Sequence, residues 1–206
     1  MAMHDIRSDN IPSDGAKPAQ RRLAKPGSAN WLAMLEAAEF ILLEEGYSAL
    51  TSRRVAERLG VKQRLVYYYF QAMDDLIVAT FRRLAERELA RLRSARDGAR
   101  PLEDLWTVCI NTSDARLISE FTALANRNDA LRAEVIAFIE TSRVLQVEAL
   151  RGAGGTSDRY SIAEEAMALL ATSLALSLTR EAGLGVTMGH REARQVVQRL
   201  LRQMEP

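Results

Sequence analysis

The sequence predicts an all-α protein with a small N-terminal helical domain and a larger C-terminal one. Apolar residues recur at the i, i+3, i+4 and i+7 spacing of amphipathic helices in most segments after residue 28. Two short segments around Gly60 fit a helix-turn-helix. Aromatic residues make up only 6% of the 206 residues, whereas Ala, Leu and Arg are abundant. We therefore expect a three-helix, helix-turn-helix domain over residues 29–73 and a helical domain over residues 74–206.

A polar leader, residues 1–28, precedes the first predicted helix. It is interrupted by prolines and glycines and lacks the apolar core of a secretory signal peptide. Its cations outnumber its acids, so we expect a flexible basic arm. These cations are Arg7, Lys17, Arg21, Arg22 and Lys25.

The first helix is expected from about Ala29 to Glu45. Its apolar residues follow one helical face, and its acidic residues lie elsewhere on the surface. The apolar face consists of Trp31, Met34, Leu35, Ala38, Ile41 and Leu42, and the acids are Glu36, Glu39, Glu44 and Glu45.

Two short helices joined by a tight turn are expected next. Thr51 suits an N-cap, because its hydroxyl can accept a hydrogen bond from an unpaired amide of the first turn. Leu50 and Val55 have the spacing of a hydrophobic staple. Gly60 suits the helix end, where a left-handed backbone is needed. Val55, Leu59, Val61 and Val66 then have the spacing of a helix-turn-helix core.

Positive charge is concentrated in this motif. From Tyr47 to Phe70 the chain has five cations and one anion, a local charge of +4 in a chain with a net charge of +1. Such a cluster is typical of phosphate binding; the alternative is a solvated helix surface. The cations are Arg53, Arg54, Arg58, Lys62 and Arg64.

The segment from about residue 30 to residue 78 resembles the N-terminal DNA-binding domain of the tetracycline-repressor (TetR) family. The family pattern is found in Glu45-Gly46-Tyr47, Leu50-Thr51, Arg54-Val55-Ala56, Leu59-Gly60-Val61 and Val66-Tyr67-Tyr68-Tyr69-Phe70. The rest of the chain agrees with the family only in length and helical character. The resemblance implies a one-component transcription regulator, most simply a repressor, that binds a palindromic operator in double-stranded DNA as a homodimer and is released by a small-molecule effector.

Ala72 and Met73 depart from the family pattern. The family usually has a small polar cap followed by a lysine that grips a phosphate, whereas alanine is a poor cap and methionine carries no charge. The arm could supply the missing cation by contacting the minor groove or the DNA backbone. The alternative is that residues 1–28 are a leader without a role.

The DNA contacts are expected at the start of the second helix and along the third. Gln63 can pair with adenine and Arg64 with guanine in the major groove, and Leu65 can meet a thymine methyl. Tyr67 and Tyr69 are expected on the DNA backbone, although Tyr69 could instead pack into the core. The complete set is Thr51, Ser52, Arg53, Lys62, Gln63, Arg64, Leu65, Tyr67, Tyr68 and Tyr69.

The C-terminal domain is expected to contain a ligand pocket. After a long helix from about Asp74 to Arg96, whose arginines would face solvent, helices are expected over about 101–110, 115–125, 129–150, 161–184 and 190–204. The resemblance implies that some of their apolar residues line the pocket, although each could simply pack in the core. The candidates are Trp106, Cys109, Ile110, Phe121, Phe138 and Met167.

The last two helices indicate a dimer interface. The run from Ala166 to Thr179 has no charge, and a helix that is apolar nearly all round must be covered on more than one side. We expect a four-helix interface between two chains; the alternative is two core helices of a monomer. The interface candidates are Leu170, Leu174, Val196, Val197, Leu200, Leu201 and Met204.

The sequence does not favour catalysis, a cofactor, a metal or a membrane. His4 lies in the arm and His190 begins the last helix, so no histidine is placed for a nucleophile or a metal. Paired acids such as Asp74-Asp75 fit first helical turns. Cys109 is the only cysteine, and the longest uncharged run of the C-terminal half is shorter than the roughly 20 residues of a bilayer span. We expect a cytoplasmic protein.

A second function is compatible with the same residues. A helical small-molecule binding or scaffold protein could use the basic face to meet an acidic protein partner instead of DNA. Phosphate-driven affinity for DNA falls steeply with salt, so a salt titration of DNA binding separates the two functions.

Overall fold

A computed structural model describes residues 26–110, 115–154 and 162–205. The described residues form nine α-helices and no strand, which confirms the all-α fold class. The helices are α1 (Ala29–Glu44), α2 (Ser52–Leu59), α3 (Gln63–Tyr69), α4 (Met73–Arg96), α5 (Pro101–Ile110), α6 (Ala115–Ala125), α7 (Asp129–Gly152), α8 (Glu164–Gly183) and α9 (His190–Met204), with a 3₁₀ turn at Tyr47–Ala49. The basic arm cations Arg7, Lys17, Arg21, Arg22 and Lys25 lie outside the described residues.

Polar side chains cap the starts of three helices. The Trp31 amide donates to Ser28 Oγ at 3.3 Å, the Arg54 amide to Thr51 Oγ1 at 3.1 Å, and the Leu131 amide to Asn128 Oδ1 at 2.9 Å. Each cap satisfies a backbone amide that has no partner within its own helix. The predicted Thr51 cap is therefore confirmed, and local sequence sets these helix starts.

One continuous apolar core joins the first three helices to α4, α6 and α7. Phe81 of α4 lies at its centre, with its ring centroid 5.3 Å from that of Phe121 and 5.9 Å from that of Phe138. Both ring pairs have the edge-to-face arrangement that aromatic quadrupoles favour. Helix α4 thus packs against the helix-turn-helix on one side and the C-terminal helices on the other.

The arginines of α4 do more than face solvent. Arg83 donates to Glu36 of α1 at 2.9 Å, Arg87 pairs with Glu39 of α1 at 3.5 Å, and Arg82 donates to Glu134 of α7 at 2.6 Å. Arg82 and Arg93 are exposed, as expected, whereas Arg83 and Arg87 are half-buried, because acids of α1 lie alongside this part of α4 in the folded chain. Helix α4 is therefore bound by ion pairs to both neighbours.

The C-terminal end docks onto the start of α5. The carboxylate of Glu205 accepts from the Leu102 amide at 2.8 Å and from the Glu103 amide at 3.3 Å. A carboxylate is favoured there because the first amides of a helix are unpaired and carry partial positive charge.

Among the described helices, none is both long and apolar enough to cross a membrane.

Candidate nucleic-acid interface and ligand cavities

The turn between α2 and α3 sets the direction of the third helix. Gly60 has a left-handed backbone, with φ of 66°, as predicted. The Val61 amide donates to Ala56 O at 3.0 Å, which closes the end of α2 in the manner of a Schellman motif. Val55 and Val66 are buried in the core between the helices. Helix α3 is consequently held across α2 with one face in solvent.

The residues predicted to contact DNA lie together on this part of the molecule. Leu65 and Tyr69 are half-buried and pack against the core, and Ser52 is buried. The remaining seven are exposed: Thr51, Arg53, Lys62, Gln63, Arg64, Tyr67 and Tyr68. The fold thus brings two separate chain segments into one surface.

Ser52 links α2 to α3. Its hydroxyl donates to Tyr67 Oη at 2.9 Å and accepts from Gln63 Nε2 at 2.8 Å. Because Tyr67 accepts this bond, its own hydroxyl proton stays available for an outside acceptor. The Gln63 amide is held in place by the same hydroxyl. Ser52 therefore orients two exposed side chains and is itself covered by them.

Tyr69 is tied to the start of α1. Its hydroxyl oxygen accepts from Ser28 Oγ at 3.3 Å, and its ring lies edge-on to Tyr68 with 5.5 Å between centroids. Phe70 is buried and stacks on Trp31 of α1 at 6.2 Å. These contacts fix the end of α3 against α1.

Most cations near the turn already have partners. Arg54 forms a two-bond pair with Glu45, with both bonds at 2.7 Å, which lowers the pKa of the Glu45 carboxyl below its usual range. Arg53 donates to Glu57 at 2.8 Å, and the Arg58 guanidinium lies 3.2 Å from the ring centroid of Phe40.

Lys62 and Arg64 differ from these residues. Both are exposed, and neither forms an ion pair within the described part of the chain. Of the three motif cations without an ion pair in the described part of the chain, Lys62 and Arg64 lie at the start of α3, and Arg58 lies over the ring of Phe40.

The two residues that depart from the family pattern have clear structural roles. The amide of Ala72 donates to Asp75 Oδ2 at 2.9 Å, so the third residue of α4 caps the helix in place of a polar residue at position 72. Met73 is half-buried and packs against the core. Its side chain packs at the junction between α3 and α4.

A first cavity of about 180 Å³ lies between α4, α5, α6, α7 and α8. Its walls are mainly apolar and include Phe81, Leu92 and Val135. Two predicted ligand-binding residues, Cys109 and Phe138, line it. The cavity is thus bounded by α4, the helix that also supports the helix-turn-helix.

The first cavity has a polar side that sequence reasoning missed. Glu88 and Gln146 are buried, and both line the cavity with Arg143 and Thr172. Thr172 Oγ1 donates to Gln146 Oε1 at 2.9 Å. Glu88 lies seven residues after Phe81 and four after Leu84, on the apolar stripe of α4. An ionisable residue on an otherwise apolar stripe is the signal that could have found it.

Burial raises the pKa of the Cys109 thiol to about 11. The nearby Glu88 carboxylate contributes to this rise in pKa, whereas Arg143 and Arg91 oppose it. The thiol is therefore protonated at neutral pH and behaves as a small apolar wall of the cavity.

A second cavity of about 360 Å³ lies between α5, α7, α8 and α9. Trp106, Cys109 and Met167, three predicted ligand-binding residues, line it. The other two candidates lie elsewhere. Phe121 is fully buried in the core beside Phe81, and Ile110 packs between α5 and α8 without lining either cavity described here.

All seven dimer-interface candidates line the second cavity. Met204 is buried, Leu170 and Val196 are 60% and 54% exposed, and the others are half-buried. The set is Leu170, Leu174, Val196, Val197, Leu200, Leu201 and Met204. An uncharged stripe of α8, which shares Leu170 with this set, is exposed to solvent and consists of Ala166, Leu169, Leu170, Ser173 and Leu176.

The described residues contain no group of three or more His, Cys, Asp or Glu side chains arranged to hold a metal ion.

Comparison with known proteins adds two findings. Residues 34–80 match the family model of bacterial regulatory proteins, tetR family. A search of curated proteins finds no match.

Several solved structures share the fold. A TetR transcription regulator from Haloarcula marismortui is 21% identical, with a TM-score of 0.68, over 84% of this chain and 96% of the other. A protein described as a transcriptional regulator from Pseudomonas aeruginosa is 20% identical, with a TM-score of 0.69, over 91% and 95%. Another so described, from Saccharomonospora viridis, was solved in complex with choline and is 17% identical, with a TM-score of 0.67, over 83% and 94%.

Proposed function

Because the chain belongs to the TetR family through the DNA-binding domain at residues 34–80, we propose that it is a repressor released from a palindromic operator by a small-molecule inducer. Regulators of this family are not enzymes. The observation that carries the proposal is the exposed surface of α3, where Lys62 and Arg64 are uncompensated and Ser52 orients Gln63 and Tyr67.

In this proposal α3 enters the major groove. Arg64 reads a guanine, Gln63 exchanges its bond to Ser52 for an adenine edge, and Leu65 meets a thymine methyl. Tyr67 donates its free hydroxyl proton to a phosphate, and Tyr68 and Lys62 lie close enough to add backbone contacts. Thr51 and Arg53 lie at the start of α2, where amides and a cation suit a phosphate. Tyr69 is better suited to fixing α3 against α1, given its bond to Ser28.

We assign the residues around 29–73 to DNA binding and residues 74–206 to ligand binding and dimerisation, with residues 1–28 as a basic arm. The first cavity is the proposed inducer site, because its wall includes Phe81, Glu88 and Leu92 of α4. A ligand that fits better when α4 has shifted will favour that position of α4. The ion pairs from Arg83 and Arg87 to α1 would carry the shift to the helix-turn-helix. The size of the effect is limited by the ligand's preference between the two states.

A second copy of the chain is the proposed partner of the exposed α8 stripe. Leu169 and Leu170 are more than half exposed there, and the small Ala166 and Ser173 allow close approach of another helix. An uncharged, solvent-exposed stripe of this kind typically marks an interface. A two-fold dimer presents two α3 helices to two half-sites, which requires a palindromic operator. A regulator of this kind acts on DNA in the cytoplasm.

Selection of DNA sequences by the purified protein tests the proposal. We expect enrichment of a palindromic site, binding that weakens steeply with salt, and loss of enrichment in Arg64→Ala. The control is Arg151→Ala, which substitutes an exposed residue of α7. The proposal is contradicted if the protein binds no duplex DNA, or if its affinity for duplex DNA does not change with salt concentration. Either result would favour the alternative, a helical binding or scaffold protein whose basic face meets an acidic protein.

A further inference from the structure

The first cavity contains one charge that its surroundings do not neutralise. Arg143 of α7 lines the cavity, and its Nη1 atom is buried without a hydrogen-bond partner within the described part of the chain. No described residue forms an ion pair with Arg143. A buried guanidinium N–H without an acceptor is costly, so the site favours an acceptor from outside the chain.

The other ionised group of the cavity is already paired. Glu88 accepts from Arg91 Nη1 at 2.8 Å, and its side chain is only 4% exposed. The charge of Glu88 is thus compensated by a residue of its own helix. Of the two charged residues that line the cavity, Arg143 is therefore the one without an ion-pair partner in the described part of the chain.

The size and walls of the cavity limit the rest of the ligand. An apolar cavity of about 150 Å³ is large enough to hold benzene, and this one measures about 180 Å³. The rings of Phe81 and Phe138 meet edge to face on its wall, with 5.9 Å between centroids. One ring or a short alkyl chain fits, with space for a small polar group.

We infer that the first cavity binds a small apolar monocarboxylate, about the size of benzoate or phenylacetate, through the guanidinium of Arg143. The ligand's apolar part packs between Phe81, Phe138 and Val135, and its carboxylate accepts from Arg143 Nη1. The inference rests on the proposed function, because it assigns the chemistry of the inducer.

Calorimetric titration of the full-length protein without DNA tests the inference. The probes are benzoate, benzyl alcohol and benzylamine, which share a ring and differ in charge. We expect benzoate to bind roughly ten- to a hundredfold more tightly than benzyl alcohol, as a charge-assisted hydrogen bond allows. Equal binding of benzoate and benzyl alcohol, preference for benzylamine, or no binding of any probe would overturn the inference.

Substitutions on α7 assign the effect to one side chain. Arg143→Gln should reduce benzoate binding to the level of benzyl alcohol and leave benzyl alcohol unchanged, whereas Arg143→Lys should retain part of the preference. Arg151→Gln, on the same helix but 61% exposed, should bind benzoate like the unmodified chain. Unchanged benzoate binding in a folded Arg143→Gln would overturn the assignment. If that variant does not fold, the charge comparison on the unmodified protein and Arg143→Lys still decide the question.

Operator binding by the same samples separates the two proposals. If the protein binds its operator but no carboxylate, only the ligand inference fails. If benzoate binds through Arg143 but no DNA binds, the cavity assignment stands and the regulator function fails.

Discussion

The hydroxyl of Ser52 shows how one buried residue can prepare an exposed surface. It bonds to Tyr67 of α3 at 2.9 Å and receives a bond from Gln63 at 2.8 Å. Residues 52, 63 and 67 come from two helices, so the bonds exist only after α3 has packed across α2. Side chains held in this way lose less conformational freedom when they bind.

Arg64→Ala and Tyr67→Phe should weaken DNA binding in different ways. Arg64 is exposed and unpaired, so its loss should cost roughly 1–3 kcal/mol at the selected site and relax preference at one base pair. Tyr67→Phe removes the hydroxyl that we propose donates to a DNA phosphate, so binding to all DNA sequences should weaken alike. Fluorescence anisotropy with specific and scrambled duplexes measures both effects. Wild-type binding by Arg64→Ala would show that α3 does not read the operator through this residue.

Cys109 should react slowly with thiol reagents. Its pKa is raised to about 11 by burial and by Glu88, and only the thiolate is nucleophilic. In the native protein, labelling by an aromatic disulfide should be slow near neutral pH and accelerate as the pH approaches 11. Denaturant should make the reaction fast. Since the chain has one cysteine, Cys109→Ser provides the blank, and rapid labelling of native protein would contradict the prediction.

At the scale of the elements, the α2–α3 turn depends on one glycine. Gly60 has φ of 66°, and a Cβ placed there would meet nothing within 4 Å. Gly60→Ala should therefore destabilise the fold through backbone strain alone, by about 1–2 kcal/mol. Urea denaturation measures the change.

Gly152 is the matched control for this prediction. It ends α7 without a left-handed backbone and also has open space around its Cβ position. Gly152→Ala should leave stability unchanged or raise it slightly, since alanine is the better helix former. Equal stability of the two variants would show that the turn tolerates a side chain at position 60.

At the scale of the whole molecule, α4 connects the DNA-binding surface to the first cavity. It donates to Glu36 of α1 through Arg83 and to Glu134 of α7 through Arg82. Exposed ion pairs contribute little to stability individually, but here they join elements on opposite sides of one helix. The buried Phe81, which precedes Arg82 in the chain, lines the first cavity. In the proposed mechanism, a change in the cavity would reach α1 through α4.

Leu169→Asp should shift the protein from dimer to monomer. Leu169 is 53% exposed in the single chain, so the charge should cost little folding stability but would be buried without a partner in the interface. Multi-angle light scattering should show the lower mass, and operator binding should weaken in parallel. Leu184→Asp, at a residue that is 77% exposed beyond the end of α8, should change neither. A monomeric unmodified protein at micromolar concentration would refute the dimer.

The sequence by itself determined the helices and the helix-turn-helix, because the signals for these are local. Apolar periodicity, the Thr51 cap and the left-handed Gly60 each act within a turn or two of the chain, and the structure agrees with all three. The concentration of positive charge around α3 could also be predicted from the sequence, since all five cations lie within one short segment.

Only the tertiary structure decided which charges are free and what the C-terminal helices enclose. Arg83 lies 47 residues from the Glu36 that pairs with it, and no local pattern predicts such a partner. The apolar stripe of α9, which is expected at a dimer interface, lines a cavity of its own chain, and Val196 on it is 54% exposed. One nitrogen of Arg143 is buried at the first cavity, where α7 meets α4, α5 and α8, and no local pattern in the sequence predicts this. The burial of a side chain and the pairing of its charge depend on which distant segments lie beside it. Those neighbours are determined only when the whole chain packs into its core.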